Sequence, residues 1–107
     1  MDGDGLEVTN NQRAQRYEAW IDGVLAHIQY NRTGDRITFL HTEVPPALEG
    51  RGIGSTLARA ALEDARARGL EVVPLCPFVS AYIRRHAEYL PLVVREHRAR
   101  LEKADAS

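Results

Sequence analysis

Val44-Pro45-Pro46-Ala47-Leu48-Glu49-Gly50-Arg51-Gly52-Ile53-Gly54-Ser55-Thr56-Leu57 is the stretch on which the reading of this chain turns. Three glycines alternate with Arg51 and Ile53, after an extended run and directly before a helical one. A strand that turns through glycines into a helix presents several backbone N–H groups without intrahelical partners, together with the positive end of the helix dipole. Such an arrangement holds phosphate. The sequence therefore points to a phosphorylated ligand.

Upstream of this loop the chain alternates with period two. Leu6-Glu7-Val8-Thr9 reads as a short strand. Arg16 to Ile21 is a second, with Tyr17, Ala19 and Ile21 on one face. Asp22-Gly23 is a two-residue hairpin signal, and Val24 to Arg32 is the partner strand, carrying Val24, Ala26, Ile28 and Tyr30 on one side. Thr33-Gly34-Asp35 makes the next turn, and Arg36 to Val44 is a further strand, ended by Pro45 and Pro46, which supply no ladder donors. The first half is thus an antiparallel meander.

Downstream, Gly52 to Arg68 reads as a helix. Ile53, Leu57, Ala61 and Ala65 form its apolar stripe, while Arg59, Glu63 and Arg66 lie on the solvated side. Asp64 and Arg68 form an i,i+4 pair, and Gly69 stops the helix. Leu70 to Leu75 is a short apolar strand. A strand–helix–strand unit of this length favours a parallel pair, so strands 36–44 and 70–75 are expected side by side. Pro74 removes a ladder hydrogen bond there. That predicts a splay between the two strands near their C-terminal ends, where ligands sit in open α/β sheets. Phe78 to His86 is expected as a second helix with Ser80 near its start, and Val93 to Lys103 as a terminal helix.

The 107 residues suffice for one domain with one modest core. The expected division is a disordered tail over 1–5, a domain over 6–94, and a C-terminal helix and tail over 95–107. A net charge of -1 gives no general attraction to nucleic acid or to a membrane surface, so neither is expected as a partner. No apolar run approaches the length of a membrane span, and no secretory signal opens the chain. The single cysteine, Cys76, excludes an internal disulfide and suits a reducing, cytoplasmic setting. The histidines His27, His41, His86 and His97 have no metal-ligand spacing with one another or with Cys76, so no metal is expected.

Two familiar phosphate loops fail here. A Walker-type loop needs lysine after its last glycine, and Ser55 follows Gly54 directly. A dinucleotide fingerprint needs glycine at its sixth position, which is Ser55 counted from Gly50 or Leu57 counted from Gly52. A third pattern fits. Glu49-Gly50-Arg51-Gly52-Ile53-Gly54 resembles the pyrophosphate loop of the GNAT-type N-acetyltransferase superfamily, written Gln/Arg-x-x-Gly-x-Gly/Ala. His41-Thr42-Glu43-Val44-Pro45, the glycine block, and then Val73-Pro74-Leu75-Cys76-Pro77-Phe78-Val79 with Tyr82 resemble a small subfamily of short, stand-alone acetyltransferase-like domains. The resemblance covers residues 6–94. It implies an α/β (α+β) fold of acyl-CoA N-acyltransferase type: a mixed, mostly antiparallel sheet with a βαβ unit and a splayed parallel pair. It also implies acetyl-CoA as cofactor. Glu49 departs from the pattern, since a carboxylate next to a pyrophosphate is unfavourable unless it points away. The chain also lacks much of what usually walls the acceptor site in the superfamily.

The expected cofactor-binding residues are Gly50, Arg51, Gly52, Ile53, Gly54 and Ser55, flanked by Val44 and Glu49, with Cys76 near the cofactor thiol. Acetyl transfer to an amine needs a base to free the amine and a donor for the developing oxyanion. His41 and Glu43 alternate onto one face of the strand entering the site, and each is a candidate base. Both also suit an ordinary solvated strand end. Cys76 reads as a site-lining contact, a small buried residue or an acetyl-accepting nucleophile. The superfamily often has a tyrosine that protonates the leaving thiolate, and Tyr82 is the candidate; it equally suits packing on the sheet. Arg84-Arg85 and the group Arg95, Arg98, Arg100 and Lys103 suit a cofactor phosphate or a partner, or else a solvated helix interleaved with Glu96 and Glu102.

The expected function is acetyl-CoA-dependent transfer to an amine, either of a small molecule or of a protein, by a monomer or homodimer. The alternatives are a non-catalytic CoA- or acetyl-CoA-binding module, and an interaction domain that binds no cofactor.

Overall fold

A computed structural model describes residues 6–106, with side chains to residue 101. The tail expected at residues 1–5 lies outside them. Five strands form one sheet in sequential order: β1 (Thr9–Asn11), β2 (Arg16–Ile21), β3 (Val24–Thr33), β4 (Arg36–Glu43) and β5 (Glu71–Pro74). The first four run antiparallel and β5 runs parallel to β4. The expected mixed, mostly antiparallel sheet with one parallel pair is therefore present. Asp22 and Gly23 take φ of 52° and 77° in the β2–β3 hairpin, the paired positive values that match strand twist.

Helix α1 (Ile53–Ala67) packs on β2, β3 and β4, and α2 (Pro77–Arg85) follows β5. The apolar stripe of α1 is buried at Ile53, Leu57, Ala61 and Ala65, and Ala58 and Leu62 widen it. These meet Ala26, Ile28, Phe39 and Val72 of the sheet and Val79 and Ile83 of α2 in one core. Truncating Leu57, fully buried here, to alanine costs about 2–5 kcal/mol by lost burial and the cavity left behind. A polar tie fixes α1 against β2: the Tyr17 hydroxyl donates to Asp64 at 2.6 Å. Arg68 adds the expected i,i+4 pair at 3.0 Å. Desolvation pushes Asp64 up, but hydrogen bonds from Tyr17 and Arg68 outweigh it and hold the carboxyl below its usual range.

Several boundaries differ from expectation. The first strand is Thr9–Asn11, not Leu6–Thr9, because pairing with β2 selects it. The Asn10 side-chain Oδ1 accepts from the Tyr30 hydroxyl at 2.7 Å, while Leu6 and Val8 pack against the core outside the ladder. The parallel pair ends at Phe39 opposite Pro74, so Leu75 leaves the strand. Two 3-10 turns, Pro46–Leu48 and Ala87–Leu92, add to the expected elements. Helix α3 is Arg95–Ala106, because Val93 and Val94 join the sheet edge instead, where the Val94 N–H donates to the Val72 carbonyl at 2.9 Å.

The β3–β4 ladder has one irregularity that positions the site. Gln29 pairs with His41 but Tyr30 pairs with Phe39, leaving Leu40 as an extra residue. A bulge shifts side-chain alternation by one. Ile37 and Phe39 face the core before it; after it, Thr42 lies opposite the buried Ile28. Odd positions of β4 face inward before Leu40 and even positions after it.

Candidate active site

The glycine loop is built as its spacing requires. Gly50 takes φ +81°, and Gly52, the N-cap of α1, takes φ +72° and ψ 13° in the left-handed region. A side chain at either position is strained by the backbone alone. No side chain caps the helix and no acidic residue stands in its first turn. The N–H groups of Ile53, Gly54 and Ser55 therefore have neither an intrahelical nor a capping partner, and the helix dipole adds its positive end. Thr56 closes the turn, its N–H and its hydroxyl both donating to the Gly52 carbonyl, at 3.1 Å and 3.0 Å.

In front of that helix start is a hollow of about 350 Å³. Thr42 of β4 and Val44 just beyond it form one wall, with Leu48 of the 3-10 turn and Glu49 after it, Gly50 to Ser55 (Arg51 excepted) from the loop and helix start, and Phe78 from α2. Gly54 is required here for a second reason. A Cβ on it would sit 2.7 Å from the Phe78 ring, so only glycine lets the ring lie over the helix start. The hollow's polar end is a row of unopposed N–H groups and its remainder is largely apolar. That suits a pyrophosphate joined to a flexible arm, which is the chemistry of CoA. Glu49 is exposed beside the loop and, among the described residues, is the one lining group opposed to an anion.

The splay expected at Pro74 takes a specific form. The Leu75 N–H turns back to the Val73 carbonyl at 3.2 Å, and the Cys76 N–H takes the Phe39 carbonyl at 2.9 Å. The Pro74 carbonyl is recovered by the Ser80 hydroxyl at 2.7 Å. Beyond this point β4 continues to Glu43 without β5 beside it.

Cys76, the N-cap of α2, is 2% exposed. It does not line the hollow. Its Sγ lies 3.1 Å from Thr42 Oγ1, so it sits one side chain behind the wall. His41 and Glu43 do share a face, with Nε2 and Oε1 3.5 Å apart, but it is the opposite face from Thr42. The bulge at Leu40 turns both away from the hollow and brings Thr42 and Val44 in. Tyr82 is buried and stacked on His86 at 4.1 Å between centroids, not at the hollow. Desolvation raises its phenol above the ordinary value, making it a weaker acid. Arg51 is half-buried between its glycines and outside the lining. Of the expected site residues, the structure therefore gathers Val44, Glu49, Gly50, Gly52, Ile53, Gly54 and Ser55. It adds Thr42, Leu48 and Phe78.

A sheet whose one parallel pair parts at a proline, with a glycine loop opening the helix that links the two strands, has the architecture of the acyl-CoA N-acyltransferase-like proteins. Residues 16–92 match the family model for the GCN5-related N-acetyl-transferase domain, and the chain belongs to that family. It is 32% identical to human Protein NATD1 over 84 residues, which cover 76% of this chain and 74% of that protein. To Protein NATD1 of the mouse it is 31% identical over 87 residues, 78% of this chain and 79% of that protein. Among solved structures it resembles the solution structure of a GCN5-like protein from Staphylococcus aureus, with a TM-score of 0.66 and 26% identity. That match covers 85% of this chain and 90% of the other. Among the described residues no helix is long and apolar enough to cross a membrane, and no cluster of side chains has the makings of a metal site.

Proposed function

We propose that this chain is an acetyl-CoA-dependent N-acetyltransferase acting on an amine. The observation that carries the reading is the start of α1: unopposed N–H groups at Ile53, Gly54 and Ser55, open to a hollow walled by Thr42 and Val44, on the part of the chain that runs on after β5 has left β4. Bound acetyl-CoA supplies an activated acetyl thioester. The residues of the chain bind and orient it: the helix start holds the pyrophosphate, and Val44, Leu48 and Phe78 flank the arm. The Thr42 hydroxyl is the polar side chain at the strand end of the hollow, placed to donate to a carbonyl oxygen or to a leaving sulfur. The amine nitrogen attacks the thioester carbon, the C–S bond breaks, and a proton from the amine ends on the departing sulfur. His41 and Glu43 face away from the hollow, so in this reading a water chain, and not either of these side chains, carries that proton.

A second reading, a CoA-binding module without catalysis, is favoured by one observation. Among the described residues no titratable side chain except Glu49 lines the hollow. Two measurements separate the readings. Calorimetric titration with acetyl-CoA is expected to show binding that Gly52→Trp loses while its circular dichroism is kept. Release of free CoA that depends on an added amine then marks the enzyme; binding without such release across primary amines and peptides marks the module. No binding at all removes both.

A further inference from the structure

A second hollow, of about 370 Å³, lies on the far side of the segment that carries Cys76, between the end of β5, α2 and α3. Pro74, Leu75 and Pro77 form one wall. Arg84, His97 and Arg100 project from the helices, and among the described residues no aspartate or glutamate lines it. The chain as a whole has a net charge of -1, so this concentration of basic side chains is local. Ion pairing divides the arginines of the chain. Arg16, Arg36, Arg66 and Arg68 each meet a carboxylate, at 2.6, 3.4, 3.2 and 3.0 Å. Arg84, His97 and Arg100 make no ion pair with any described residue. The Ser80 hydroxyl in the same hollow is already committed to the Pro74 carbonyl. Two guanidinium groups with no ion pair among the described residues, beside an apolar rim that includes the half-exposed Leu75, form a receptor for one anionic group on a small organic molecule.

The position of this groove gives it a role. Cys76 separates the two hollows: its neighbours Leu75 and Pro77 line the basic groove, while Thr42, 3.1 Å from its sulfur, lines the other. The phosphates of the cofactor are provided for at the start of α1. We infer that the basic groove receives a carboxylate or phosphate of the acetyl acceptor, and that the acceptor is therefore a small amine that carries an anionic group. The inference rests on the acetyl-transfer reading.

The test is a titration of the full chain followed by 1H–15N spectra, with phosphoethanolamine and with ethanolamine, its match lacking the anion. Shifts at Ser80, Arg84 and His97 with phosphoethanolamine alone are expected, weakened at least fivefold in Arg84→Gln and Arg100→Gln and partly restored in Arg84→Lys. Equal shifts with both amines, or none at these residues, overturn the proposal. Calorimetry with CoA and dephospho-CoA distinguishes the other source of the same chemistry. If Arg84→Gln weakens CoA fivefold and leaves dephospho-CoA unchanged, the groove is a cofactor phosphate site and the acceptor assignment falls. Groove binding of phosphoethanolamine in a protein that binds no acetyl-CoA also overturns the acceptor role, while leaving an anion site in place.

Discussion

Cys76 Sγ lies 3.1 Å from the Thr42 hydroxyl, bridging the gap that opens where β4 runs on past β5. The contact makes the cysteine part of the wall behind the hollow. A nucleophile has to reach its electrophile, and a thiol that is 2% exposed behind another side chain does not. Cys76→Ala is expected to keep at least a third of the acetyl-CoA turnover and to cost about 1–2 kcal/mol of stability through lost packing and the lost hydrogen bond. Turnover and urea unfolding measured on the same preparation check this. Loss of all turnover in a variant that folds and binds acetyl-CoA would make Cys76 the acetyl carrier.

Gly54 and Phe78 form a second such pair. Alanine is the better helix residue by about 0.5–1 kcal/mol, so Gly54→Ala is expected to hold or raise the melting temperature. Its methyl nevertheless enters space occupied by the Phe78 ring, 2.7 Å away, and the ring has to leave the hollow. Acetyl-CoA affinity is then expected to fall about tenfold, roughly 1.4 kcal/mol. Phe78→Ala should lose a similar amount, and the double variant little more than either alone, since both act through one ring. Additive losses would separate the two residues.

Glu49 stands at the loop where the family pattern has glutamine or arginine. Glu49 is among the residues that line the hollow, which the N–H groups of α1 make attractive to anions. Glu49→Gln removes a like charge without changing the shape, and is expected to tighten acetyl-CoA binding about fivefold at low salt, roughly 1 kcal/mol. The gain should shrink as salt rises. Unchanged affinity at low ionic strength would mean that the carboxylate points away from the bound phosphates.

Much of this arrangement is legible in the residues themselves. Asp22-Gly23 marks its hairpin because few residue pairs accept two positive φ values. The glycine loop marks the helix start, and Pro74 marks the end of the parallel pair. The exchange of His41 and Glu43 for Thr42 and Val44 is not legible, because it depends on the bulge at Leu40. That bulge is a property of the register between two strands, and nothing in His41-Thr42-Glu43 alone reveals it. Phe78 stands in the block that resembles the acetyltransferase-like subfamily, but its seat over Gly54 joins residues on two helices and only tertiary packing shows it. The basic side chains Arg84 and Arg100 suit an ordinary solvated face in sequence; their convergence on one groove depends on how α3 returns to α2.

On the sheet face away from the helices, His27 is opposite Glu18 on one side and Glu43 on the other, with Arg16 and His41 nearby. Its Nδ1 is buried without a hydrogen-bond partner among the described residues. Burial, and then the Arg16 charge, hold the imidazole below its usual 6.5, outweighing the pull of Glu43. A histidine with a lowered folded value takes up its proton more readily when unfolded. Its contribution to stability is therefore whole above 6.5 and is lost as the pH falls below that value. Urea midpoints are expected to drop between about pH 7.5 and pH 5.5, and to drop less in His27→Thr, which keeps a strand-favouring side chain without a titrating ring. Equal drops in the two proteins would place the pH sensitivity at another group.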